Sequence, residues 1–144
     1  MKRDPALVTL SHDHHQALAV AQKLRRADKQ SADRARAELV AYRDGHGREH
    51  FRLEEEILFP AYAGYGDPYD PLLARALCDH VAIRREVDAA AGDPQAPVGT
   101  LQKLGAMISD HVRLEERELF PLIERALPET ELAAVAAALR QDHG

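Results

Sequence analysis

Residues 50–60 read HFRLEEEILFP and residues 111–121 read HVRLEERELFP. Extended to 50–62 and 111–123, the two copies agree at eight of thirteen positions. Each opens on a histidine, places a glutamate four residues on, and runs into Leu-Phe-Pro. On a helix, positions i and i+4 share one face a turn apart, with side chains pointing the same way. His50 and Glu54 therefore make one pair on a helix face, and His111 and Glu115 make another.

Working outward from these copies, apolar residues recur at helical spacing along almost the whole chain, and alternating β-branched runs are absent. The class is all-α. Upstream of each copy the spacing predicts another helix that carries an acid followed by a histidine, Asp13-His14 before the first and Asp79-His80 before the second. The first helix is expected from about Thr9 to Asp28, with a stripe of Leu7, Leu10, His14, Leu18, Ala21 and Leu24. The second starts after Ser31 as N-cap and carries Leu39, Tyr42, His46, His50, Leu53, Glu54 and Ile57.

The stretch AGYGDPYDP at 63–71 breaks the chain, and Asp70 followed by Pro71 reads as cap and first position of a third helix, striped by Leu73, Leu77, His80, Arg84 and Val87. A second break, AAGDPQAPVG at 90–99, precedes a fourth helix with Leu101, Leu104, Ile108, His111, Glu115, Leu119 and Leu122. Pro60 and Pro121, at matching places, either kink their helices or mark the last turns. Residues 129–141 read as a short covering helix. The expectation is one domain over 1–144, an antiparallel up-down-up-down four-helix bundle at about 7–127 with an additional C-terminal helix.

Bulk properties exclude several classes. A net charge of -5 and the absence of Trp argue against a nucleic-acid partner. No apolar run approaches the roughly 18 residues of a membrane span, and the start, MKRDPALVTLSHDHH, lacks a signal-peptide core, so a cytoplasmic protein without a membrane role is expected. A single cysteine, Cys78, rules out an intramolecular disulfide and a thiolate zinc cluster.

The unusual count is eight histidines. His14, His50, His80 and His111, with Glu54 and Glu115, would all project inward from four helices. Burying them without a cation would cost several kcal/mol per ion. Imidazole and carboxylate together suit first-row transition metals. Six donors divide into two sets, which favours two ions over one. Two glutamates cannot neutralise two divalent ions, so hydroxide, oxide or an exogenous anion should complete the site.

An acid precedes every one of these histidines: Asp13, Glu49, Asp79 and Asp110. Such acids are expected either to orient a histidine on an adjacent helix or to remain solvated charges. His12 and His15 fall off the stripe, His143 sits in the tail, and His46, one turn before His50, is a candidate additional ligand. Arg84 is read either as a salt-bridge partner or as a group reaching the open metal position, which makes it the one candidate catalytic residue.

Taken together, LSHDHHQAL at 10–18, HFRLEEEILFP, LCDHVAIRREV at 77–87 and HVRLEERELFP resemble the hemerythrin-like family, with its His-His-Glu cation-binding motif. The resemblance covers roughly residues 7–127. It implies two iron ions joined by an oxo or hydroxo bridge, with His14, His50, Glu54, His80, His111 and Glu115 in the ligand positions and the two glutamates bridging.

The oxygen carriers of that family have a further histidine where this chain has Arg84 and an aspartate where it has Glu116. The likeness is therefore to the bacterial and sensor-type members. Ferritin-like bundles use Glu-x-x-His, and no histidine here has a glutamate three residues before it. The implied function is binding of O2, NO or a related small redox ligand for sensing, buffering or delivery. The alternatives are an enzyme consuming hydrogen peroxide or nitric oxide, and an iron store or donor. No protein partner is read from the sequence.

Overall fold

The computed structural model describes residues 2–143, and the side chain of His143 lies outside the described part, together with the expectation made for it. Helix α1 spans Val8–Arg25, entered through a 3-10 turn at Pro5–Leu7. Helix α2 runs through residues 32–63 without a break, its α-helical stretches joined by π turns at Arg43–Gly47 and Glu54–Leu58. Helix α3 spans Pro71–Ala91. Helix α4 runs through residues 98–126 with one π turn at Glu115–Leu119, and α5 spans Glu129–His143. The first four form the up-and-down bundle, α1 and α3 each packing against both α2 and α4.

Local chemistry sets the ends. Asp70 accepts a hydrogen bond from the Leu72 N–H at 2.8 Å, and Pro71 opens α3, as the sequence predicts. Ser31 does stand at the start of α2, but its hydroxyl accepts from the Asp28 N–H at 3.0 Å. Asp28 in turn accepts from the N–H groups of Gln30 and Ser31. That closed turn ends α1 at Arg25, three residues before the expected Asp28.

The two prolines have a subtler effect. Each follows directly on a π turn, in which Phe59 N–H bonds the Glu54 carbonyl and Phe120 N–H bonds the Glu115 carbonyl. A proline ring clashes with the carbonyl four residues back, and an i to i+5 turn just upstream gives it room. Each helix then continues, to Ala63 and to Ala126. The extra residue in each turn also shifts the inward face by one. Leu58 and Ile123 are fully buried, whereas Ile57 and Leu122, chosen on straight α periodicity, are only partly so.

Two apolar clusters lie along the bundle. One is rich in Leu and Phe, including Leu10, Leu53, Leu58, Phe59, Leu119 and Phe120, and α5 seals it with Leu132, Val135 and Leu139. The other is rich in alanine, with Ala17, Ala21, Ala27, Ala32 and Ala35 around Leu24, Leu39 and Leu104. On α3, Ala76 and Ile83 face inward, while Leu77 is exposed and Arg84 sits on the flank. The α1–α4 seam is close: a methyl group on Gly105 would lie 2.6 Å from the Ala21 carbonyl oxygen and 2.9 Å from the Arg25 nitrogen. Among the described residues, no helix is long and apolar enough to cross a membrane.

Candidate metal centre

Four helices deliver six polar side chains to one buried place. His14 comes from α1, His50 and Glu54 from α2, His80 from α3, and His111 and Glu115 from α4. Glu54 and Glu115 are 0% exposed and the four histidines no more than 3%. These residues form two groups of four, His14, His50, Glu54, Glu115 and Glu54, His80, His111, Glu115, within each of which one donor atom per residue lies inside 4.8 Å of all the others. Both glutamates belong to both groups.

The carboxylates are oriented to be shared. Glu54 turns Oε2 to His50 Nε2 at 3.2 Å and Oε1 to His80 Nε2 at 3.0 Å. Glu115 turns Oε1 to His14 Nε2 at 2.9 Å and Oε2 to His111 Nε2 at 3.2 Å. Yet both Glu54 oxygens, Glu115 Oε2, His80 Nε2 and His111 Nε2 are buried without a hydrogen-bond partner. Close atoms that do not bond one another, and lose water as well, are costly unless a third atom satisfies them. Donors about 2.1 Å from a first-row ion and at right angles around it lie about 3 Å apart, which matches these separations. Two buried His/Glu clusters geometrically suited to a binuclear metal centre result.

The outer face of each imidazole is equally well defined. Every Nδ1–H faces a carboxylate: His14 to Glu116 at 2.7 Å, His50 to Asp13 at 3.2 Å, His80 to Glu55 at 2.6 Å and His111 to Asp79 at 3.1 Å. Such partners fix the tautomer that presents Nε2 inward and raise its basicity. Of the four acids preceding histidines, Asp13 and Asp79 do reach across to a neighbouring helix. Glu49 pairs with Arg52 and Asp110 with Arg113, on the outside.

Glu55 and Glu116 take the other two places, roles the sequence reading missed. The signal was there, since both copies carry Glu-Glu at 54–55 and 115–116. In each copy the second glutamate lies in the π turn that begins at the first, and it bonds an imidazole on another helix, as Asp13 and Asp79 do from plain α-helix.

Two expected participants stand elsewhere. His46 is exposed and outside both groups, because the π turn Arg43–Gly47 breaks its one-turn register with His50. Arg84 does not reach the centre. Its guanidinium pairs with Glu55 at 2.9 Å and lies over the Phe51 ring at 5.3 Å, which is the salt-bridge role. His12 and His15 are exposed, as expected. Aromatic rings shield the imidazoles: Phe51 stacks on His80 at 3.9 Å, Phe59 covers its other neighbourhood at 5.9 Å, and Phe120 stacks on His14 at 5.3 Å.

Without a cation the charges balance through protons. Burial lowers the His14 pKa, but hydrogen bonds to Glu115 and Glu116 outweigh it and raise it to about 9. His80 is raised to about 10 by Glu115 and Glu54 against the same opposing burial. His50 and His111 are also raised, again against burial, chiefly by Glu54 and Glu115 respectively. Burial would raise Glu115, yet the charge and hydrogen bond of His111 hold it well below the usual carboxylate range. Each imidazolium in the metal-free site would give up its Nε2 proton when that nitrogen takes a metal ion, so protons and metal compete for the same atoms.

Residues 6–123 match the model of the hemerythrin HHE cation-binding domain. No curated protein and no solved structure matches the chain. The matched span contains all six converging residues and leaves out the chain start, the last turn of α4 and the sealing helix α5, so the chain belongs to the hemerythrin HHE cation-binding family.

Proposed function

We propose that the centre holds two iron ions with an oxo or hydroxo bridge, His14 and His50 serving one, His80 and His111 the other, with Glu54 and Glu115 bridging. The observation that carries this is the turning of one oxygen of each glutamate to each group. Bound iron would supply reversible electron exchange with O2, NO or peroxide. The chain's own part is to present the Nε2 atoms through the Nδ1 carboxylates and to exclude water with Phe51, Phe59 and Phe120.

Ligand binding, for sensing, buffering or delivery, is the reading kept. An enzymatic role would draw on an acid or on Arg84 at an open metal position, and Arg84 is instead engaged with Glu55. A cytoplasmic setting, where thiols stay reduced, fits the one exposed cysteine, Cys78.

The test is to load the protein anaerobically with ferrous iron, count iron per chain, then admit and remove oxygen while following the visible spectrum. Two irons and a band that fades on deoxygenation are expected. A band that persists, or oxygen evolved on adding peroxide, would promote the enzyme. Fewer than two irons would sink the bridging assignment.

A further inference from the structure

A cavity of about 320 Å³ opens onto the imidazoles from the alanine-rich side of the bundle. His14, His50 and His111 form its floor. Ala17, Phe51, Ile83, Val87, Ile108 and Val112 are its apolar walls. A diatomic occupies space on the order of one water, whose share of the liquid is about 30 Å³. The cavity is thus about ten times larger than the ligand just proposed requires, and falls in the range of pockets that hold organic molecules, about 300 to 1,000 Å³.

The rim decides the charge of the occupant. Its arginines are Arg43, Arg48, Arg52 and Arg84, and each is engaged by a carboxylate. Arg43 and Arg48 share Asp44 and Asp88, Arg52 has Glu49 and Glu56, and Arg84 has Glu55. Each arginine of the rim is thus already paired with a carboxylate, so the rim holds no unpaired cation for an anionic head group.

One polar group on the wall remains, the Tyr42 phenol. Its ring lies against Gly47, where a methyl group would come within 2.9 Å of Cε2 and 3.2 Å of Cδ2. The bare glycine leaves the ring room at that place on the wall.

We infer that this cavity is a binding site for a neutral, mainly apolar organic molecule carrying one hydrogen-bond acceptor, seated on the histidine floor and met by the Tyr42 hydroxyl. The site rests on the metal reading only for what lies beneath its floor. The small redox ligand and the organic molecule would then share one cavity over the histidines, so that either one alters the surroundings of the other.

The probe is 4-fluoroacetophenone, titrated into the iron-loaded full chain and, in parallel, into chain stripped with chelator, both followed by fluorine NMR. Saturable binding below millimolar concentration is expected in both. In the loaded chain, paramagnetic relaxation of the fluorine should also appear. Ile108→Trp should weaken binding at least tenfold with iron content unchanged, and Ala17→Leu provides a milder filling should the larger ring disturb folding. Tyr42→Phe should weaken it about threefold to tenfold, the worth of one hydrogen bond. 4-Fluorobenzoate should bind more weakly than the ketone. Absence of saturation, indifference to both filling variants, or tighter binding of the benzoate would overturn the inference. Binding to stripped chain by a protein that never takes up two irons would instead overturn the metal reading alone.

Discussion

The two copies of the repeat build the inner centre alike and its surroundings differently. Inside, each contributes a histidine, a glutamate four residues on and an imidazole-holding carboxylate next to that glutamate. Outside, the α1–α4 seam is closed by Gly105, six residues before His111, while the position six residues before His50 is Asp44, in the π turn Arg43–Gly47. Likewise Phe51 follows His50 where Val112 follows His111, so His80 is covered by a ring and the matching side is left to smaller atoms. The lesson is that a metal-sized site tolerates almost no asymmetry, because its donors must meet at bonding distances. The shell around it can differ freely, and here the difference opens a cavity on one side.

The comparison can be broken most severely at the shared residues. Glu54→Ala and Glu115→Ala should each bring bound iron well below two per chain, measured by metal analysis, because each removes an oxygen from both groups. His14→Ala should by contrast leave about one. Equal losses in all three would show that the halves are not separable.

Gly105→Ala tests the closed seam. A methyl group forced against the α1 backbone should cost about 1 to 3 kcal/mol, read from denaturant unfolding. Gly45→Ala, with open space around it, should not show a clash of that kind.

Asp13→Asn and Asp79→Asn are expected to lower metal affinity about tenfold to a hundredfold each, since both orient a ligand from a neighbouring helix. A large effect from only one of them would show that the halves differ inside as well. Arg84→Ala should be smallest, with iron content retained and only reactivity with peroxide altered through Glu55. Unchanged rates would leave a salt bridge alone.

Proton exchange sharpens the comparison of loaded and stripped protein. The histidine pKa values are raised on folding, so their contribution to the stripped chain is whole below about 6.5. It is lost as pH rises through about 9 for His14 and about 10 for His80. Melting temperatures of stripped chain should therefore fall across that window, while loaded chain stays nearly flat. Loading at neutral pH should release protons, up to about two per divalent ion.

Much of this was legible in the sequence. Helical spacing is a one-dimensional signal, so the bundle, the Asp70-Pro71 start of α3 and the covering helix α5 could be read from letters. So could the convergence of His14, His50, Glu54, His80, His111 and Glu115, because burying such groups makes sense only around a common partner. The reading of His46 as a ligand assumes an unbroken α register, and of the two readings of Arg84 the salt bridge is the one seen, with Glu55, remote along the chain, as its partner.

The set of helices and the donors they bring to a shared interior are therefore written in the residues themselves, both consequences of periodicity and of the cost of burying charge. Where π turns shift the register, and which carboxylate holds each imidazole, were settled by packing in three dimensions. Packing likewise decided that small side chains and a paired rim would leave a cavity over one face. Those outcomes depend on distances between residues remote along the chain, and local spacing carries no record of them.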